Sequence, residues 1–430
     1  MRYLEVKGTS QLNGSISVQG AKNSAVAVLA AALLSDESVY LENIPKIRDV
    51  EVIASIFDDL GVQYRCNGDK WEINPQHMHY HPITKEKAMK YRASYYFVGA
   101  LLSRFKRLFI GLPGGDDFGS RPIDQHLKGF RALGAKITEL KDGLQIEAEQ
   151  LVGTQIYFDV ITSGATMNMI MAAAKAKGET ILHNAARDPE VVDLCNLLNK
   201  MGADIRGAGT DRIRIRGVKR LHGCTHSIIP DRLVAGTFII AGIATQGDIR
   251  VEGIIPEHLK PLLHKLTEMK ANFSVEEDAI HVFGEQKLRA VRVRTGMYPN
   301  FATDLQQPFT ILALLAQGKS IITETIYPNR FSHVPELQRL GAVIERRKET
   351  AFIQGGSPLV GCDVRATDVR AGISLLLAAL VAKGMTRIFD VEHIERGFGD
   401  IVGDFTRLGA DIRYGELDEQ TISNSIPQIG

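Results

Sequence analysis

Asp58-Asp59-Leu60-Gly61-Val62-Gln63-Tyr64, Arg131-Ala132-Leu133-Gly134-Ala135-Lys136-Ile137 and Thr406-Arg407-Leu408-Gly409-Ala410-Asp411-Ile412 are three spellings of one phrase. Each reads as the last turn of a helix, a glycine stop and the first residues of a strand. The phrase recurs around Met201, Met269 and Leu340, so it is written six times, at intervals of 68 to 73 residues. The fourth copy carries Lys270 where the others carry glycine, yet its register holds. A fixed period of this kind is the mark of an internal repeat. Upstream of each ending lie a small, apolar helical run, a Gly-marked turn, a strand and an amphipathic helix. SVYLENI, TILHNA, DIRVEGI and SIITETI are such strands, and Val50, Ile53, Ile56, Phe57 and Leu60 show the helical spacing. One unit cannot close a core alone, whereas three can. The pattern predicts an α/β protein of two domains with three repeats each, joined near Ile229–Arg232 where Pro230 interrupts the chain, and a ligand site between them.

Composition bounds the partners. Among 430 residues, 51 Lys and Arg nearly balance 50 Asp and Glu, which leaves no electrostatic footprint for nucleic acid or an anionic membrane. Cys66, Cys195, Cys224 and Cys362 lie far apart without a C-x-x-C pair, which argues for reduced thiols and against a zinc site. MRYLEVKG has no apolar stretch behind its charge, and the runs Ala25–Leu34 and Leu375–Ala382 are too short to span a bilayer. A cytoplasmic protein is expected.

The chemistry-capable residues recur at one slot, the start of each apolar helix: Lys22-Asn23, Arg92, Ser163-Gly164-Ala165-Thr166, Asp231-Arg232, Thr303-Asp304 and Asp368-Val369-Arg370. Exposed amides and the helix dipole favour anions there. Capping alone explains Thr166, Thr303, Asp304 and Asp368. It does not explain Lys22, Arg92, Arg232 or Arg370, since cations are disfavoured at that end of a helix. Their placement points to an anionic ligand held between the two domains.

A second cluster is PGGDDFGSRPID, Pro113–Asp124. Its glycines suit an ordinary turn. Its paired carboxylates beside Arg121 also suit a mobile lid with a general acid. His77, His79 and His81 alternate between Pro75 and Pro82 and read as a polar loop, and Glu345–Glu349 reads as a solvated turn. No nucleotide-binding or hydrolase motif is present.

QGAKNSA (Gln19–Ala25), LPGGxxxGxRPID (Leu112–Asp124), NAARDPEVVD (Asn184–Asp193), GCTHSIIPDR (Gly223–Arg232), YPNFATDLQ (Tyr298–Gln306), NRFSHVPEL (Asn329–Leu337), RATDVRAG (Arg365–Gly372) and HIERGF (His393–Phe398) resemble the UDP-N-acetylglucosamine 1-carboxyvinyltransferases from end to end. The resemblance implies a two-domain inside-out α/β barrel of six repeats. Residues 21–230 would form one domain with a mobile loop at 112–121, and 1–20 plus 231–430 the other. It implies transfer of the carboxyvinyl group of phosphoenolpyruvate to the 3-hydroxyl of UDP-N-acetylglucosamine, the first committed step of peptidoglycan precursor synthesis, without metal or organic cofactor. By motif position, Lys22 and Asn23 would hold phosphoenolpyruvate, with Arg121, Arg370 and Arg396 on its charged groups. Arg92, Arg121, Pro122, Ile123, Asp124, Gln125, Thr162, Ser163, Gly164, Asp304 and Ile326 would line the sugar nucleotide, and Asp368 belongs to the same substrate set. Lys22, Asp304 and Arg396 would be catalytic, with Asp304 taking or orienting the hydroxyl proton.

One position departs from the pattern. Members usually carry cysteine after Pro-Gly-Gly, and this chain has Asp116, followed by Asp117. An aspartic acid can donate a proton only if its pKa is lifted from about 4 by burial or a neighbouring carboxylate. Asp116 is the expected acid, and resistance to fosfomycin, which alkylates the cysteine, is expected with it.

Overall fold

The computed structural model describes residues 1–8, 11–90, 92–112 and 122–416. Its strands form six small mixed sheets, five of four strands and one of three among the described residues. The third unit shows the pattern most plainly. Strand Gln155–Tyr157 leads to the apolar helix Ser163–Ala173, strand Glu179–His183, helix Pro189–Lys200 and the hairpin Asp204–Arg206 with Arg212–Arg216. Glu179–His183 pairs in parallel with the first strand and antiparallel with the last, with Ile181 opposite Gln155 and Arg214.

Two of the short edge strands are exchanged along the chain. The first unit takes Thr225–Ser227 as the parallel partner of Val39–Glu42, and the fourth takes Asn13–Ser17 beside Asp248–Glu252. In the last unit Arg2–Lys7 lies between Met385–Phe389 and Asp411–Glu416. The local patterns that predict strands do not reveal these partners, because parallel pairing needs a long crossover and the pairing segments here are far apart in sequence.

The apolar helices are buried on nearly all sides, as their uniform small and branched residues require. In Lys22–Ala32 every residue from Ser24 onward is buried, and in Val369–Val381 every residue through Leu380. Two hydrophobic cores result. One gathers residues between Ala25 and Ile228, the other Leu4–Val18 together with residues from Leu233 to Ile412. Where helices Phe97–Phe105 and Ser163–Ala173 approach closely, a Cβ on Gly99 would sit 2.3 Å from the carbonyl oxygen of Asn168. The buried Asn168 side chain accepts from the Gly99 amide at 2.8 Å and donates to the Tyr95 carbonyl at 3.0 Å, so its burial leaves no orphaned amide.

The six repeat endings share one backbone solution. Gly61, Gly134, Gly202, Gly341 and Gly409 have φ between 66° and 100°, and Lys270 has φ 62°. Helix stop and strand start are therefore joined through a left-handed residue in all six copies, including the one without glycine.

Two segments carry the chain between the cores, Val18–Lys22 and Ile228–Arg232. They run antiparallel, with the Ala21 amide donating to the Ile229 carbonyl at 2.7 Å and the Asp231 amide to the Gln19 carbonyl at 2.9 Å. Among the described residues no helix is long and apolar enough to cross a membrane.

Candidate active site

All six apolar helices begin at one cavity of about 860 Å³ between the two cores. Its walls include Lys22 and Asn23, Tyr95 and Tyr96, Ser163 and Gly164, Arg232, Asp304, and Val369 with Arg370, so each helix contributes residues at or just before its first turn. A shared repeat plan thus brings six helix starts to the same space, where the positive ends of their dipoles favour an anion.

Lys22 opens the first of these helices. Its Nζ lies 2.9 Å from Asp49 Oδ2 and donates to the Arg396 carbonyl at 3.1 Å, which ties it to both cores. The residue before it, Ala21, offers no side-chain cap. The Lys22 amide instead donates to Asp231 Oδ2 at 3.0 Å, while Asp231 Oδ1 accepts from Leu233 and Val234 at the start of its own helix. One turn into the first helix, Ser24 Oγ donates to the buried Asp193, whose other oxygen meets His226 Nε2 at 2.9 Å.

Across the cavity Asp304 sits in a one-turn 3-10 helix, Thr303–Leu305, ahead of helix Gln306–Leu315. Arg330 Nη2 approaches its Oδ1 at 2.6 Å and Arg370 Nη2 its Oδ2 at 3.6 Å. Burial pushes the Asp304 pKa upward, but the Arg330 and Arg370 guanidiniums outweigh it and hold the carboxyl well below its usual range. Arg330 also donates to Thr303 Oγ1 at 3.0 Å, and Thr303 donates to the buried Glu324 at 2.8 Å. Glu324 accepts in turn from the Ile326 and Tyr327 amides at 2.8 and 3.1 Å, which sets the turn carrying Ile326 into the cavity wall. Burial drives His333, behind this layer, down to about 3, with Asp368 opposing; it is neutral there.

Asp368 caps its helix. Oδ1 accepts from the Arg370 and Ala371 amides at 2.9 and 3.0 Å, and Oδ2 accepts from Ser332 Oγ at 2.8 Å. The capping role weighed for it is present in full, and the residue still lines the cavity. Arg232 lines the cavity as well, but it is paired more fully than the other cations. Its position at a helix start pointed to an anionic ligand, but its Nε meets Glu190 Oε1 at 3.1 Å and its Nη2 meets Asp188 Oδ1 at 3.4 Å. Two carboxylates of the other core already neutralise it, and Tyr298 packs its ring against the guanidinium.

On the remaining wall Gln125 accepts from the Asp159 amide at 2.9 Å and donates to Asp124 at 2.8 Å. Ser163 Oγ donates to Asp188 at 2.9 Å. Pro122, Ile123, Asp124, Gln125, Thr162, Ser163, Gly164, Ile326 and Arg396 line the same cavity as Lys22, Asn23, Asp304, Asp368 and Arg370. Arg92 begins the 3-10 helix Arg92–Tyr96, and the expectation for its side chain lies outside what is described. Asp116, Asp117 and Arg121 also lie outside the described residues. Asp49, Glu190 and Arg330 were not singled out by sequence. Glu190 and Arg330 stand inside quoted motifs, but only the fold brings their partners to them. Among the described residues no group of three or more His, Cys, Asp or Glu could hold a metal ion.

Six helix starts from two cores, converging on cations and carboxylates in one cleft, make a site suited to an anionic substrate. The family model for EPSP synthase (3-phosphoshikimate 1-carboxyvinyltransferase) matches residues 6–405. The chain is 47% identical to UDP-N-acetylglucosamine 1-carboxyvinyltransferase 2 of Listeria monocytogenes, across 97% of its length and 99% of that protein's. It is 46% identical to the relative of the same name from Geobacillus kaustophilus, across 98% and 99%. It belongs to the UDP-N-acetylglucosamine 1-carboxyvinyltransferase family. Among solved structures it is similar to the enolpyruvyl transferase NikO from Streptomyces tendae, with a TM-score of 0.90, 27% identity, and 97% and 99% of the two chains covered. EPSP synthase from Acinetobacter baumannii, with a TM-score of 0.75, 19% identity, and 96% and 100% covered, shares the fold.

Proposed function

We propose that this cavity binds phosphoenolpyruvate and UDP-N-acetylglucosamine and transfers the carboxyvinyl group to the sugar 3-hydroxyl by addition and elimination. The observation that carries the reading is the meeting of Lys22, Arg370, Arg396 and Asp304 in one cleft walled by both cores. Lys22 and Asn23 hold phosphoenolpyruvate, and Arg121, Arg370 and Arg396 bind its phosphate and carboxylate. Pro122 to Gln125, Thr162 to Gly164, Ile326 and Arg92 contact the sugar nucleotide, and Asp368 keeps the Arg370 helix start in place. Residues 21–230 form one domain, and 1–20 with 231–430 the other. They close over the substrates with the 112–121 loop as a lid, and the reaction takes place in the cytoplasm.

The hydroxyl oxygen attacks C2 of phosphoenolpyruvate while Asp116 protonates C3. In the adduct C2 carries the new sugar ether and still carries phosphate. The Asp116 carboxylate takes a C3 proton back as the C2–phosphate bond cleaves, which restores the double bond and releases phosphate. Asp304, held ionised by two arginines, is a weak base as it stands, and it orients the hydroxyl by accepting its hydrogen bond. The hydroxyl proton passes to Asp304 only as the C2–oxygen bond forms and the attacking hydroxyl becomes strongly acidic, so a carboxylate held ionised by Arg330 at 2.6 Å can still accept it. Fixed cations then stabilise the phosphate charge without reorganising during the reaction.

The test is phosphate release from phosphoenolpyruvate with UDP-N-acetylglucosamine or shikimate 3-phosphate as acceptor. Release with the sugar nucleotide alone is expected. Release only with shikimate 3-phosphate would overturn the acceptor, and UDP-N-acetylglucosamine binding without release under any condition would make the chain a sugar-nucleotide sensor.

A further inference from the structure

We infer that Asp231 is a positioning residue for Lys22, acting as an N-cap for two helices at once across the crossing between the cores. The inference rests on the proposed role of Lys22 in holding phosphoenolpyruvate. Helix Lys22–Ala32 starts with amides that need acceptors, and Ala21 supplies none. Asp231 comes from the second crossing segment and is 6% exposed. Its Oδ1 caps helix Arg232–Ala244 through Leu233 and Val234, at 2.8 and 3.1 Å, and its Oδ2 takes the Lys22 amide at 3.0 Å. One carboxylate thus sets the starting point of an apolar helix in each core.

The surroundings make this arrangement hard to relax. The crossing strands are paired on either side by Ala21 with Ile229 and by Asp231 with Gln19. A Cβ on Gly20 would lie 1.8 Å from the Asn43 carbonyl oxygen, so the backbone beside the crossing is already in contact. Lys22 Nζ reaches Asp49 in one direction and the Arg396 carbonyl in the other, and both bonds need the helix start to stay where it is. The carboxylate sits where the chain crosses between the cores and fixes the start of the helix that carries Lys22.

Asn is the informative replacement. It caps a helix about as well as Asp. Its oxygen stays with the two amides of its own helix, and its NH₂ group, a donor only, faces the Lys22 amide and cannot accept from it. Asp231→Asn therefore removes the cross-helix bond and keeps the local cap. Asp231→Ser is the second variant, since its short hydroxyl caps its own helix but does not span to Lys22. The expected result is a KM for phosphoenolpyruvate raised on the order of tenfold in both variants, from loss of a hydrogen bond to a charged group. The UDP-N-acetylglucosamine dissociation constant should stay within about twofold of wild type, since its wall of the cavity keeps every bond. An unchanged phosphoenolpyruvate KM in either folded variant, or an equal loss for both substrates, would overturn the inference. Calorimetry of phosphoenolpyruvate binding to Lys22→Met separates this from the underlying reading. Wild-type affinity there would remove the role of Lys22 itself. Weakened binding there, with Asp231 variants that behave as wild type, would remove only the positioning role.

Discussion

Replacing Arg330 by Met should expose how much of the site depends on one ion pair. Arg330 meets Asp304 at 2.6 Å, with 5% and 25% of the two side chains exposed. Removing one partner of a fully buried pair costs about 3–5 kcal/mol, because the survivor is left charged and poorly solvated. Asp304 is a quarter exposed and keeps Arg370 at 3.6 Å, which lowers the figure to about 2–3 kcal/mol. For a core of this size that corresponds to a fall in Tm of roughly 4–12 °C. The assay is a double-mutant cycle of Arg330→Met with Asp304→Asn, read by thermal unfolding. Once Asp304 is neutral, losing Arg330 should cost much less, so the double variant should melt close to the worse single one. The effect also has a pH signature. The folded Asp304 pKa is depressed, so its contribution is present above the unfolded value of about 4 and is lost as the pH falls through the folded value. The gap between wild type and Arg330→Met should be widest near neutrality and shrink in acid. Losses in the double variant that equal the sum of the two single ones would refute the pairing.

Other expectations follow from the same structure. Lys270→Gly should raise stability by about 0.5–1 kcal/mol, since an exposed lysine at φ 62° carries left-handed strain that glycine lacks, offset in part by the entropy of the unfolded chain; a lower Tm would contradict it. Asp116→Asn should abolish or sharply reduce turnover while UDP-N-acetylglucosamine still binds by calorimetry; near wild-type turnover would move the acid role elsewhere. Fosfomycin should fail to inactivate the enzyme, since a carboxylate replaces the thiolate it alkylates; time-dependent inactivation at stoichiometric drug would contradict this.

Local chemistry explains what could be read from the residues. A stop signal such as Leu133-Gly134 is written within a few positions, so the six repeats and their α/β character are visible without a structure. The helix-start slot is equally local, which is why Lys22, Asp304, Asp368 and Arg370 stand out. Partnerships are not local. Arg232 advertises its cation, but Glu190, which neutralises it, lies 42 positions away on a helix of the other core. Asp49, an acidic residue in the first turn of helix Arg48–Asp59, reads as an ordinary helix start and Arg330 as a loop residue, and they matter only because folding sets them beside Lys22 and Asp304. Strand exchange is hidden for a similar reason. Thr225–Ser227 is three residues long, and its pairing with Val39–Glu42 depends on a crossing nearly two hundred residues downstream.

The most direct measurement runs the reaction in D₂O with phosphoenolpyruvate and UDP-N-acetylglucosamine and analyses the product by mass spectrometry beside a phosphate assay. Addition and elimination in this cavity predict one phosphate released per carboxyvinyl sugar nucleotide, with solvent deuterium entering the vinyl carbon through protonation and deprotonation at C3. Phosphate released without a vinyl product, or a vinyl product that never carries deuterium, would contradict it.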